Sequence, residues 1–297
     1  MDLKQKLGNK YLLGSVLVLL AACFWGATPI IAKLTYSMGS NPVNAAFLRN
    51  FLALPIIFII LACKKISLKL SGRELVILVV LGVFNAFTTI LLYMSYNYVS
   101  VGVATTLNCS FPVLVMIGSI VFLKQKASKR GTIALAITMA GIVMFFSITD
   151  NQSNPILGTG IAFLSAICYA AYVLIFEKSK LKDYAFKLTF YICVINSICC
   201  FVFGLVHNQI TFALTPEAWI YSTVIALLCS VLCITFFNLG IKYVGSVTSS
   251  ILVMAEPVIA IILGSICLGE EMTAGKIVGC VLIIMGIFVV QTTKNTP

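Results

Sequence analysis

Of the chain's 297 residues, 61% are hydrophobic and 10% charged, against about 45–50% and 25% in an ordinary soluble domain. Long stretches carry no charge, so a soluble fold around one large core is excluded and lipid is the solvent. The formal charge of +11 raises nucleic acid as a partner, but the Lys and Arg fall between apolar runs without an aromatic-interleaved basic patch, so no nucleic acid is expected.

Apolar runs of about 20 residues, bounded by charges, Gly, Pro or Asn, predict ten transmembrane helices. The first covers 12–32. Lys4, Lys6 and Lys10 precede it, but it is too long for a signal peptide and lacks a small-x-small cleavage site before Lys33. Trp25 in this span and Tyr169 in span 6 (156–176) stand about 11 to 13 residues deep, roughly 17–20 Å, which suits a cavity wall better than an interfacial belt. Arg49 stands about two turns into span 2 (43–63), where its side chain can snorkel to the interface. Lys33 and Lys242, at helix ends, read as interfacial anchors.

Span 3 (74–93) and the residues just after it place Asn85, Thr88, Thr89, Tyr93 and Tyr96 within an arc of about 140° at 100° per residue. Polar groups in lipid need partners, so the stripe either glues helices together or lines a cavity. Span 4 (101–122) carries Thr105, Asn108 and Pro112 on one side, and span 9 (246–268) carries Ser249, Glu256 and Pro257. Each proline frees a carbonyl one turn earlier and is predicted to bend its helix beside a midplane site.

Glu256 is the acid placed well inside a span, about 10 residues or roughly 15 Å from its end. An ionised carboxylate there costs at least about 2.5 kcal/mol, so it must be protonated, paired or facing a wet cavity. It is the candidate for binding a proton or a cationic substrate group. The structural alternative is a protonated Glu bonded to Ser249, bracing the bend at Pro257.

Spans 5 (131–148), 7 (185–206), 8 (219–241) and 10 (275–291) complete the set, with Asn238 of span 8 a further lining candidate because it aligns with Tyr93. Gly131 and Gly141 of span 5, with Gly275, Gly279 and Gly286 of span 10, suit close helix approach, inside the chain or across a homodimer. The 11 cysteines follow no metal-ligand spacing and His207 is the single histidine, so neither a metal, a cofactor nor a disulfide framework is expected.

Lys and Arg alternate between loops: seventeen of the 20 fall at 4–10, 64–73, 124–130, 178–187, 242 and 294, leaving Lys33, Arg49 and Lys276 elsewhere. The positive-inside rule then puts both termini in the cytoplasm of a multi-pass cell-membrane protein. The chain also repeats itself. Gly14, Ala22, Trp25 and Gly26 align with Gly158, Ala166, Tyr169 and Ala170; Tyr98-Val99 with Tyr243-Val244, Pro112 with Pro257, and Gly141 with Gly286. The offset of 144 to 145 divides the chain into 11–148 and 156–291, five spans each, and an odd number inverts the second half relative to the first.

These motifs resemble the two-repeat EamA-type members of the drug/metabolite transporter superfamily over nearly the whole chain. The likeness is carried by Ala21-Ala22-Cys23-Phe24-Trp25-Gly26 with Pro29, Arg49, Ala255-Glu256-Pro257, and Leu268-Gly269-Glu270-Glu271 leading to Gly279 and Gly286. Lys126 departs from the pattern, since the first repeat of such proteins often has an acid there matching Glu271. The resemblance implies a bundle of five plus five helices around a cavity lined by spans 1, 3, 4, 6, 8 and 9, with spans 5 and 10 outside. It implies transport of amino acids, other metabolites or drugs, often outward, while some relatives carry nucleotide sugars or sugar phosphates.

An enzyme would need a catalytic cluster near one interface. His207 is alone, Asp150 is isolated, and Glu270-Glu271 lacks a basic or metal partner nearby, so no enzyme is expected. The inverted repeat with one midplane acid favours alternating access over a channel. A sugar-phosphate carrier calls for several cavity cations, and Arg49 is the one clearly inside a span. The expectation is a secondary transporter of a small neutral, zwitterionic or cationic metabolite, amino-acid-like compounds first.

Overall fold

The computed structural model describes residues 2–95, 97–99, 101–126, 128–144, 154–179, 181, 184–269 and 271–291. Of the residues singled out above, Tyr96, Asp150, Glu270, Lys294 and two of the basic residues at 178–187 (Lys180 and Lys182) lie outside these. The protein is an all-α integral membrane bundle of ten spans in two inverted repeats of five. Among the described residues, nine helices are long and apolar enough to cross a membrane; the remaining span is described over Lys129–Val143. Large apolar side chains face outward along the bundle, Phe122 70% and Ile266 75% exposed, an arrangement that water would oppose and lipid accommodates.

Spans 1, 3, 5, 6, 7 and 10 are α1 (Asp2–Tyr36), α4 (Gly72–Ser95), α7 (Lys129–Val143), α8 (Pro155–Lys178), α9 (Ala185–Val206) and α14 (Ala274–Gln291). Span 2 is broken into α2 (Pro42–Phe51) and α3 (Ala53–Cys63), span 4 into α5 (Val101–Asn108) and α6 (Phe111–Leu123), and span 9 into α12 (Ser246–Leu252) and α13 (Ala255–Leu268). Each break has the same cause. A proline lacks the N–H for the bond to the carbonyl four residues back and its ring clashes there. Those positions are Phe51 for Pro55, Asn108 for Pro112 and Val253 for Pro257, which are the last residues of α2 and α5 and the first after α12. Span 8 instead runs α10 (Pro216–Ile225), a π-helical stretch Ala226–Cys233, then α11 (Ile234–Val244).

Packing repeats across the two halves. Gly14 lies against Tyr243 and Val244, and Gly158 against Tyr98 and Val99. Asn196 donates from Nδ2 to Asn85 Oδ1 at 2.8 Å, and Ser230 from Oγ to Asn50 Oδ1 at 3.4 Å, so spans 7 and 3 are tied as spans 8 and 2 are. The helix before each αL cap, Lys124 (φ 54) and Gly269 (φ 67), ends at matching positions of the two halves.

Spans 5 and 10 pack on each other, away from the bundle centre. A Cβ at Gly141 would lie 2.7 Å from Gly279 O, and one at Gly286 2.8 Å from Ala134 O. These glycines are therefore used in intrachain packing. Gly141→Ala is expected to destabilise the purified protein by about 1–3 kcal/mol through overpacking, seen as a lower melting temperature in detergent. Gly160 has nothing within 4 Å of an added Cβ, so Gly160→Ala is expected to stabilise by roughly 0.5–1 kcal/mol. Equal shifts for the two would reject this packing account.

Candidate functional site

An even number of spans brings the start of α1 and the end of α14 to one face of the bundle, termed proximal; the opposite face is distal. A cavity of about 490 Å³ occupies the bundle centre, within the range of small-molecule sites. It extends to the distal ends of spans 1 and 2, where Lys33, Tyr36 and Pro42 line it.

Deep in the cavity the wall is aromatic. Trp25 meets Phe237 edge-on at 5.6 Å between centroids, Phe237 stacks on Tyr169 at 6.2 Å, and Tyr169 meets Phe111 edge-on at 4.6 Å. The repeat mates Trp25 and Tyr169 thus face each other across Phe237. Where Tyr169 has Phe111 beside it, Trp25 has the mate of Phe111, Glu256, whose helix comes so near that a Cβ at Gly26 would lie 2.7 Å from Glu256 O.

Toward the proximal face the cavity is sealed. The Glu177 carboxylate accepts from Gln125 Nε2 and from the Ser246 backbone N–H, both at 3.0 Å, while Ser119 and Ser246 hydroxyls are 3.3 Å apart. One side chain thereby joins the proximal ends of spans 4, 6 and 9.

Of the residues expected at the site, Trp25, Asn85, Thr88, Thr89, Tyr93, Asn108, Tyr169 and Glu256 all line this cavity. The span 3 stripe serves both readings at once: Asn85 accepts from Asn196, and the Thr88 carbonyl accepts from Ser165 Oγ at 2.7 Å, while their side chains border the cavity. Ser165 Oγ also lies 3.0 Å from Asn108 Oδ1. Pro112 and Pro257 open the half-helices that carry Phe111 and Glu256.

Asn238 departs from expectation. It is 0% exposed and accepts a 2.8 Å hydrogen bond from the Tyr172 hydroxyl instead of lining the cavity. An eight-residue π-helical stretch precedes it, while the matching part of span 3 is regular α-helix, so the repeat alignment with Tyr93 does not carry over to the face that Asn238 presents.

Arg49 departs further. Its guanidinium turns into the cavity and does not snorkel to the distal interface: Nη1 reaches Cys229 Sγ at 3.5 Å, Nη2 reaches Thr89 Oγ1 at 3.4 Å, and Nε is buried with no partner. Spans 2 and 7 therefore contribute to the wall, through Arg49, Asn50 and Asn196, along with the six spans expected. Lys33, read as an anchor, lines the cavity at its distal end. Glu256 is half-buried, and among the described residues its carboxylate has no hydrogen-bond or ion-pair partner. Ser249 Oγ, the partner offered by the bracing alternative, is buried and unbonded.

A lipid-embedded bundle of inverted repeats around a polar and aromatic central cavity, sealed at one face, is the architecture of an integral membrane carrier. The chain belongs to the EamA-like transporter family, whose sequence profile matches residues 12–147 and again 156–292. It is 24% identical to an uncharacterized transporter of Clostridium kluyveri, over 92% of this chain and 91% of that one. It is likewise 24% identical to the uncharacterized transporter YyaM of Bacillus subtilis and to protein PagO of Salmonella typhimurium, in each case over 95% of this chain and 94% of the relative. A solved crystal structure shares the fold, with a TM-score of 0.77 at 14% identity over 96% of this chain and 98% of that one.

Proposed function

We propose that the chain is a secondary transporter that moves a small, amino-acid-like metabolite across the cytoplasmic membrane by alternating access, with both termini in the cytoplasm. The observation that carries this reading is a central cavity that reaches one face, is latched shut at the other by Glu177, and holds the unbonded carboxylate of Glu256. Glu256 would exchange between a proton and a cationic group of the substrate as the two faces open in turn. The loop charges support the orientation: their excess lies at the proximal face.

A second reading, a sugar-phosphate carrier, draws on Lys33 and Arg49, which both line the cavity. It is disfavoured because a dianion would meet Glu256 in the same space. The test is uptake and efflux in proteoliposomes with neutral amino acids, organic amines and glucose 6-phosphate. The expected result is flux of an amino-acid-like compound, slowed about fivefold or more by Thr89→Val with the melting temperature unchanged, a loss of about 1 kcal/mol for one polar contact. Asn85→Leu is expected to lower the melting temperature, because Asn196 loses its acceptor. No flux above protein-free liposomes for any compound would reject the transport reading. For orientation, an impermeant thiol reagent on intact cells should label a cysteine placed at distal Ser37 and not one at proximal Ser179; the reverse would invert the topology.

A further inference from the structure

We infer that Arg49 and Glu256 are the two poles of a binding site for a zwitterion, Arg49 receiving its carboxylate and Glu256 its ammonium; this rests on the transport reading and narrows its substrate class.

The first ground is what each charge lacks. A guanidinium has five N–H donors in a rigid fork shaped for a carboxylate. In this cavity, among the described residues, two of its nitrogens reach only neutral atoms, Cys229 Sγ and Thr89 Oγ1, at 3.5 and 3.4 Å, and its Nε, buried, reaches none. Charged groups inside a membrane are costly and normally paired, and an unmet buried donor adds to that cost. Glu256 shows the converse: an acceptor pair bordering the cavity, with no donor among the described residues. Both charges are present in one cavity and neither closes on the other.

The second ground is symmetry. Asn50 and Asn196 are mates by their contacts, which makes Ile195 the mate of Arg49; the mate of Glu256 is Phe111. Ile195 packs on Gly82, where an added Cβ would lie 2.5 Å from its Cδ1, and Phe111 packs on Tyr169. The duplicated framework thus fills both mate positions with apolar packing residues. The cation and the anion each stand on one half only, and both face the cavity. A bundle that needed a brace at these positions would need it twice.

The third ground is the surface around them. Trp25, Tyr169, Phe111 and Phe237 supply an apolar wall, Thr88 and Thr89 supply hydroxyls, and Glu256 is the acid among the lining residues. Lys33 borders the cavity at its distal end and has a partner of its own. A ligand that meets both interior charges carries one carboxylate, one ammonium and an otherwise neutral body.

The experiment is equilibrium binding to the full-length protein purified in detergent. The probes are neutral L-amino acids, then for the tightest binder its decarboxylated amine and its deaminated acid, with glucose 6-phosphate as the phosphate probe. The amino acid is expected to bind at least about tenfold more tightly than either analogue, as suits a charge-assisted hydrogen bond lost at one pole. Arg49→Gln should abolish discrimination against the amine while keeping discrimination against the acid, and Glu256→Gln should do the reverse. Arg49→Lys, which keeps charge without the fork, should restore part of the first discrimination. Each variant is scored only against its own melting temperature.

The proposal is overturned if no neutral amino acid binds, if glucose 6-phosphate binds more tightly, or if Arg49→Gln weakens the amino acid and the amine alike. The two readings separate by flux. Discriminating binding without flux in proteoliposomes would leave the two-pole site standing and sink transport. Flux of a compound lacking one of the charges, as fast as that of the amino acid, would sink the two-pole site and leave transport standing.

Discussion

Glu256→Gln is expected to leave the protein folded and to abolish the acceleration of transport by an imposed proton gradient, cutting gradient-driven accumulation at least about tenfold, the effect of about 1.4 kcal/mol. The residue lies in the first turn of α13, past the break that Pro257 imposes, and borders the central cavity. Glutamine keeps its volume and an acceptor oxygen but cannot ionise. The other titratable groups of the cavity are Arg49, Lys33, Tyr36, Tyr93, Tyr169, Tyr172, Cys109 and Cys229. Glu256 is the carboxyl among the described lining residues. A parental rate and an unchanged response to the gradient would make Glu256 a structural acid.

Glu177→Ala should open the proximal face. Two hydrogen bonds to one carboxylate hold Gln125 and the Ser246 N–H, at 3.0 Å each. Discounted for solvent near a membrane surface, they amount to about 1–2 kcal/mol, hence a five- to thirty-fold shift toward the proximally open state. The readout is the rate at which a small thiol reagent, applied to inside-out vesicles, modifies cavity-lining Cys109, followed by peptide mass. Glu177→Gln retains one acceptor oxygen and should fall between parent and alanine variant. An unchanged rate in Glu177→Ala would show that the seal lies elsewhere, with the Ser119–Ser246 pair the next candidate.

The ten spans and the inverted repeat were readable because hydrophobic length and loop charge are set residue by residue. The helix breaks were readable at Pro112 and Pro257, since a proline removes the bond to the carbonyl four residues back; Pro29 does the same inside α1, yet that helix runs on unbroken to Tyr36. Pro55 obeys the same rule and breaks span 2 after Phe51. Trp25 and Tyr169 could be placed at the cavity from depth and mutual alignment.

The direction of Arg49 could not be read, because a cation two turns from a helix end satisfies membrane physics equally by reaching the interface or a wet interior. What settles it is the neighbouring wall, Cys229 and Thr89, contributed from 180 and 40 residues away. Asn238 failed for a local reason: nothing in Ala226–Cys233 announces a π-helix, and a position matched to Tyr93 by the repeat is turned away once that stretch changes the winding before it. The signal that pointed to Arg49 was its charge, that of the one cation clearly inside a span.

The π-helical stretch of span 8 has a bearing on which way the carrier rests. The corresponding part of span 3 is regular α-helix, so the two halves do not exchange roles on equal terms. On the proposed alternating access, two halves of identical structure would make the distally and proximally open forms equivalent under a two-fold rotation in the membrane plane, equal in free energy and populated half and half. Here the π-helical wall, Arg49 without a cationic mate and Glu256 without an acidic one all lift that degeneracy, and about 1.4 kcal/mol between the forms suffices for a tenfold preference. Net direction still follows the gradients, but the concentration at which each side half-saturates the protein need not match. On the proposed alternating access, a sidedness of affinity is expected from the places where the two halves differ.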